Sequence, residues 1–142
     1  MQRDYSIRDA LLTAKGKEQC RALSAAFPHH NDVDIIFASP LRRTIQTAAL
    51  SLGPALARED VQFVLHPSLQ EIADFGSDTG IADTAEDVMR LLPDLLAEEE
   101  LSFDPAKIDA SLVTKGWNTK VSRRLGCMSV LTNVFTARLL GL

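Results

Sequence analysis

The chain holds 142 residues, enough for one domain with a sizeable core, and 46% of them are hydrophobic, as in a globular protein. A formal net charge of −4 argues against a nucleic acid or an anionic membrane as the main partner. Two cysteines (Cys20, Cys127) and three histidines (His29, His30, His66) form no zinc-type or redox-type spacing, which fits a reducing compartment; no cofactor is expected.

The first residues are polar and charged rather than an apolar leader. The apolar stretch near the other end, Leu125 to Leu142, is interrupted by Ser, Thr, Asn and Arg138, and its unbroken part is shorter than the ~20 residues a membrane span needs. A cytoplasmic, soluble chain is therefore expected.

Taken in order, Thr13 suits an N-cap for a helix over Lys15 to Phe27, with a core-facing stripe of Gly16, Cys20, Leu23 and Phe27, ended by Pro28. His29 and His30 fall in a polar loop and read as exposed. Val33 to Phe37 is an apolar, β-branched run of strand length. Ser39 then suits an N-cap and Pro40 a first helical position, where a missing N–H costs nothing. Leu41, Ile45, Ala48, Ala49 and Leu52 recur at helical spacing.

Arg42 and Arg43 consequently stand in the first turn of a helix, beyond the carboxyl end of a strand. Arginine there opposes the helix dipole, whereas an anion is favoured, and a guanidinium fork matches phosphate oxygens. Open α/β sheets bind ligands at this edge. Two readings stay open: a phosphate-binding pair, or two solvated surface arginines.

Gly53-Pro54 signals a turn, and Val61 to Leu65 a second strand. His66 to Glu71 follows it, in the position that Ser39 holds after the first strand. Glu71 could be a proton donor to a leaving alkoxide, or an ordinary salt-bridge partner of Arg42 or Arg43. His66 reads as a loop or capping residue. Asp74 to Gly80 is polar loop, and the acids Glu71, Asp74 and Asp78 lack the dense spacing of a divalent-metal site.

Thr84 to about Glu99 reads as a helix with Ala85, Val88, Met89, Leu92 and Leu96 on one face, a weak capping box at Thr84 and Asp87, and Pro93 kinking or dividing it. Glu98-Glu99-Glu100 reads as a solvated acidic end. Phe103 to Asn118 reads as loop, with a short extended piece at Ser111-Leu112-Val113 and Trp117 anchored on the core.

The run Ser39-Pro40-Leu41-Arg42-Arg43-Thr44-Ile45-Gln46-Thr47-Ala48 resembles the Ser-Pro-Leu-x-Arg-Ala-x-Gln-Thr-Ala signature of the histidine phosphatase superfamily, in its phosphoglycerate mutase-like branch. Asp9-x-x-Leu12-Thr13-x-x-Gly16-x-x-Gln19 is similar to the segment that follows the catalytic motif in that family, and builds a loop and a helix rather than a site. The wording of Arg3 to Asp9, and Asp78-Thr79-Gly80 at the substrate mouth, are closest to fungal members.

The resemblance implies a three-layer αβα sandwich with a mainly parallel sheet. It also implies a small phosphorylated molecule or phosphate as ligand, and phosphomonoester hydrolysis through a phosphohistidine without a metal. Arg43 would grip the phosphoryl group, Arg42 or Ser39 would assist, and Glu71 would be the acid/base.

The family's two catalytic histidines, in an Arg-His-Gly/Ala motif upstream of Arg3 and a Val-x-His-Gly motif near the C-terminus, have no counterpart. The expectation is thus an incomplete domain over residues 1–120, lacking its first and C-terminal strands, followed by an atypical tail over 121–142. Val121-Ser122 is what an in-frame intron start would encode, so the tail reads as an unspliced intron. An alternative is an amphipathic helix through Leu125, Met128, Leu131, Phe135 and Leu139. Exposed strand edges would favour self-association. Three functional readings follow: an ancestral phosphatase, a catalytically dead phosphate-binding or interaction protein, and an inactive fragment.

Overall fold

The structure is a computed structural model and describes residues 7–70, 76–119 and 134–137. The apolar run of the sequence becomes strand β1 (Ile35–Ala38), followed by helix α2 (Arg42–Ser51). Ile36 and Ala38 are fully buried while Ile35 and Phe37 on the other face are half-buried, the alternation that a pleated strand imposes. Strand β2 (Gln62–Leu65) pairs parallel with β1, Ile36 opposite Phe63, and β3 (Ile108–Asp109) pairs parallel with β2. The α2 stripe of Leu41, Ile45, Ala48, Ala49 and Leu52 is buried throughout, as its spacing predicts.

Helix α1 (Ala14–Ala26) packs on α2, and Thr13 caps it by accepting a hydrogen bond from the Gly16 amide. Its stripe is narrower than expected: Cys20 is buried but Leu23 is 55% exposed. Helix α4 (Ala85–Leu96) buries Val88, Leu92 and Leu96, with Ala85 and Met89 at the margin of the core. Pro93 lies inside α4 without dividing it, because the buried stripe continues on both sides of it. Trp117 is buried against the core as its size demands.

Several local expectations change. The cap of α2 is Leu41 rather than Ser39, so Pro40 precedes the helix instead of opening it. Gly53-Pro54 begins a short helix, α3 (Gly53–Leu56), in which the fixed φ of proline suits the first turn. The short extended piece falls at Ile108–Asp109, where it can pair with β2, and Ser111-Leu112 forms a turn. The acidic triplet is not wholly solvated. Glu99 is buried because two cations of α1 reach it, Lys17 Nζ at 2.5 Å and Arg21 Nη2 at 2.7 Å.

The sheet order is β3-β2-β1-β4, and β4 is Val134–Ala137, antiparallel to β1 with Ala38 opposite Val134. Phe135 therefore sits in a strand rather than in an amphipathic helix; Leu125, Met128, Leu131 and Leu139 lie outside the described residues. Strand β1 is thus paired on both sides, by β2 and by β4. The result is an α/β domain built on a mainly parallel sheet, and among the described residues no helix is long and apolar enough to cross a membrane.

Candidate functional site

The carboxyl ends of β1 and β2 lie side by side, tied by the His66 amide donating to the Ala38 carbonyl at 2.8 Å. Beyond β1 the chain turns through Ser39-Pro40-Leu41. This turn is held by the Thr44 hydroxyl, which donates to the Ser39 carbonyl at 2.6 Å with the Leu41 carbonyl 2.7 Å away. Ser39 itself is fully buried, its Oγ 3.5 Å from the Leu41 amide. Arg42 and Arg43 open α2, in the first turn as the sequence predicts.

Each arginine meets a carboxylate of its own chain. The Arg42 backbone amide donates to Asp9 Oδ1 at 2.9 Å, and its Nε donates to the Asp9 carbonyl at 2.9 Å. Asp9 Oδ2 accepts from the Ile81 amide at 3.1 Å. Asp9 is only 1% exposed and adopts φ 47°, a left-handed conformation that Asp tolerates better than most residues. Burial pushes its carboxyl above the usual range, outweighing the two amide bonds and the charges of Arg42 and Arg43. The anion that the N-terminus of α2 attracts is thus, in this structure, an aspartate of the preceding loop.

Arg43 Nη2 donates to Asp78 Oδ1 at 2.7 Å, and its Nη1 donates to the Ser77 carbonyl. Its side chain is 22% exposed and that of Asp78 8% exposed. The segment carrying Asp78 is anchored just beyond it. The Gly80 carbonyl accepts from Arg8 Nη2 at 2.8 Å and from Asn118 Nδ2 at 2.9 Å. Gly80 lies so close to the indole of Trp117 that a Cβ would come within 2.5 Å of two of its carbons. Three guanidinium groups (Arg8, Arg42, Arg43) and two carboxylates (Asp9, Asp78) therefore converge at the carboxyl edge of the sheet.

Glu71 lies outside the described residues, as does Asp74. Among the described residues no three His, Cys, Asp or Glu side chains are grouped to hold a metal ion. His66 caps the turn after β2, its Nδ1 accepting from the Ser68 amide at 3.3 Å, and its ring stands edge-on to Phe37. His29 and His30 pack on Phe27 at the amino end of β1, across the sheet from the arginines. His30 is half-buried rather than exposed, because its Nε2 bonds the Ser24 carbonyl at 2.8 Å.

Sequence reasoning placed the two arginines and set Asp78 at the mouth, but it assigned Asp9 to scaffold alone and overlooked Arg8. No local pattern points to these two, since their partners stand 33 and 72 positions away.

The fold agrees with what comparison with known proteins finds. No curated protein and no solved structure matches the chain. A family model does, that of the histidine phosphatase superfamily (branch 1), over residues 2–109, a span that contains α1, β1, the paired arginines, β2, Asp78 and α4. The chain belongs to branch 1 of the histidine phosphatase superfamily.

Proposed function

We propose that this 142-residue chain binds phosphate or a small phosphomonoester at Arg43 and does not turn it over. The observation that carries the reading is the position of Arg43, in the first turn of α2 beyond the carboxyl end of β1, with a partly exposed guanidinium whose fork can take two phosphate oxygens. Arg42 adds charge while its own guanidinium stays on Asp9, and buried Ser39 shapes the turn that presents Arg43. Glu71 keeps the acid/base assignment that the family resemblance gives it.

Hydrolysis in this family passes through a phosphohistidine, and the chain has neither an Arg-His-Gly/Ala nor a Val-x-His-Gly motif. The positions of His29 and His30 at the far end of the sheet support the same reading. Loss of the nucleophile of a covalent mechanism costs about 10⁶ in kcat. The reading for these 142 residues is therefore phosphate binding without turnover, and a cytoplasmic setting is proposed with it.

Titration calorimetry with inorganic phosphate, beside turnover of p-nitrophenyl phosphate, tests it. Binding by the native chain, weakened at least about tenfold in Arg43→Ala, with no turnover by either, is the expected result. Hydrolysis that disappears in Arg43→Ala would overturn the inactivity, and phosphate binding unchanged in that variant would overturn the site.

A further inference from the structure

Arg43 is not an empty phosphate fork. Its two terminal nitrogens are each bonded to an oxygen of one short segment, Nη2 to the Asp78 carboxylate at 2.7 Å and Nη1 to the Ser77 carbonyl. Two oxygens on the two terminal nitrogens of one guanidinium is the arrangement that a phosphate or carboxylate ligand makes when it binds end-on. We propose that Asp78 is a built-in competitor for the phosphate site, so that an incoming phosphate takes Arg43 only by displacing the Ser77–Asp78 segment.

A phosphate oxygen on Nη1 or Nη2 would lie within a few ångströms of the Asp78 carboxylate, and like charges at that distance, in a partly desolvated edge, repel strongly. Asp78 is 8% exposed on its side chain, so water does little to screen it. Among the described residues Arg43 is the cation bonded to Asp78 Oδ1, and the Ser77 hydroxyl reaches it only at 3.4 Å.

The fold also says where the movement is confined. Gly80 and Ile81 are held by Arg8, Asn118, the Trp117 indole and Asp9. Release of Arg43 therefore concerns Ser77 and Asp78, and the anchored part keeps Asp78 returning to the same guanidinium when phosphate leaves. Asp78 would set both the affinity of the site and its preference for ligands with enough negative charge to win the exchange.

This inference rests on Arg43 being the phosphate site, and the experiment separates the two. Inorganic phosphate is titrated calorimetrically into the native chain, Asp78→Asn, Asp78→Ser and Arg43→Ala, each checked for folding by circular dichroism. Competition predicts at least about tenfold tighter binding in Asp78→Asn, which keeps the shape and removes the charge, and the same direction in Asp78→Ser. Unchanged or weaker binding in both, with Arg43→Ala still impaired, would overturn the competitor role and leave the phosphate site standing. Arg43→Ala binding like the native chain would overturn the site beneath it. If neither Asp78 variant folds, the native chain decides: the Asp78 carboxyl carbon resonance must shift as phosphate saturates, and a resonance that stays put would overturn the proposal.

Discussion

Asp9 and Ile81 stand 72 positions apart in the chain and are joined by a 3.1 Å hydrogen bond from the Ile81 amide to Asp9 Oδ2. The other carboxylate oxygen takes the Arg42 amide at the start of α2, so one side chain ties the leading loop, the helix and the Gly80 segment together. Replacing Asp9 by Ala removes the buried acceptor of two part-buried amides and costs about 2–4 kcal/mol in urea unfolding; Asp9→Asn, which accepts only once, costs about 2 kcal/mol. A loss below about 1 kcal/mol in Asp9→Ala would show that water replaces the carboxylate.

The same residue has a pH signature. Burial raises its folded carboxyl above the ordinary value of 3.8, so the folded state holds the proton more tightly than the unfolded chain does. Stability relative to Asp9→Asn is then greatest below pH 3.8 and declines as the pH rises through the folded value. Asp87 acts with the opposite sign. Its hydrogen bond from the Thr84 hydroxyl lowers its carboxyl, and that contribution is lost as the pH falls through its folded value. Unfolding curves of the native chain and Asp9→Asn from pH 3 to pH 7 read the difference.

Gly80→Ala places a methyl within 2.5 Å of two carbons of the Trp117 ring, a contact that requires the indole to move. Overpacking of this kind costs about 1–3 kcal/mol. Trp117 is the sole tryptophan, so its displacement from a buried site is read directly as a red shift of the emission maximum.

Glu99 offers a contrast to Asp9. Its side chain is 1% exposed, but Arg21 beside it is 55% exposed and returns to water when the carboxylate is removed. Glu99→Ala is therefore expected to cost only about 1 kcal/mol in chemical denaturation, well under the loss at Asp9. Lys17→Ala keeps the buried charge with one partner fewer and is expected to cost at least as much as Glu99→Ala.

What the sequence made legible is what local spacing controls. The stripe from Leu41 to Leu52, the β-branched run before it, the caps at Thr13 and Thr84, and the two arginines in a first turn all follow from rules that act within a few residues. The misreadings concern partners supplied from far away. Glu99 looked solvated because Lys17 and Arg21 are about eighty positions distant, and the bond from Arg21 spans 78. Asp9 looked like scaffold because its partners are at 42 and 81. The cap of α2 moved from Ser39 to Leu41 because Thr44 holds the turn through two backbone carbonyls, an arrangement with no signature of its own. Val134–Ala137 pairs with β1 from a tail whose residues gave no strand pattern.

That last pairing changes what the edge of the sheet can present. In a parallel sheet every strand delivers its final residue to the carboxyl edge, as β1 delivers Ala38 and β2 delivers Leu65. Strand β4 runs the other way, and it is its first residue, Val134, that stands opposite Ala38. Next to β1 this chain sets a strand's beginning, so the flank of the arginines is bordered by a backbone of reversed polarity, with Ala137 standing at the opposite rim beside Ile35.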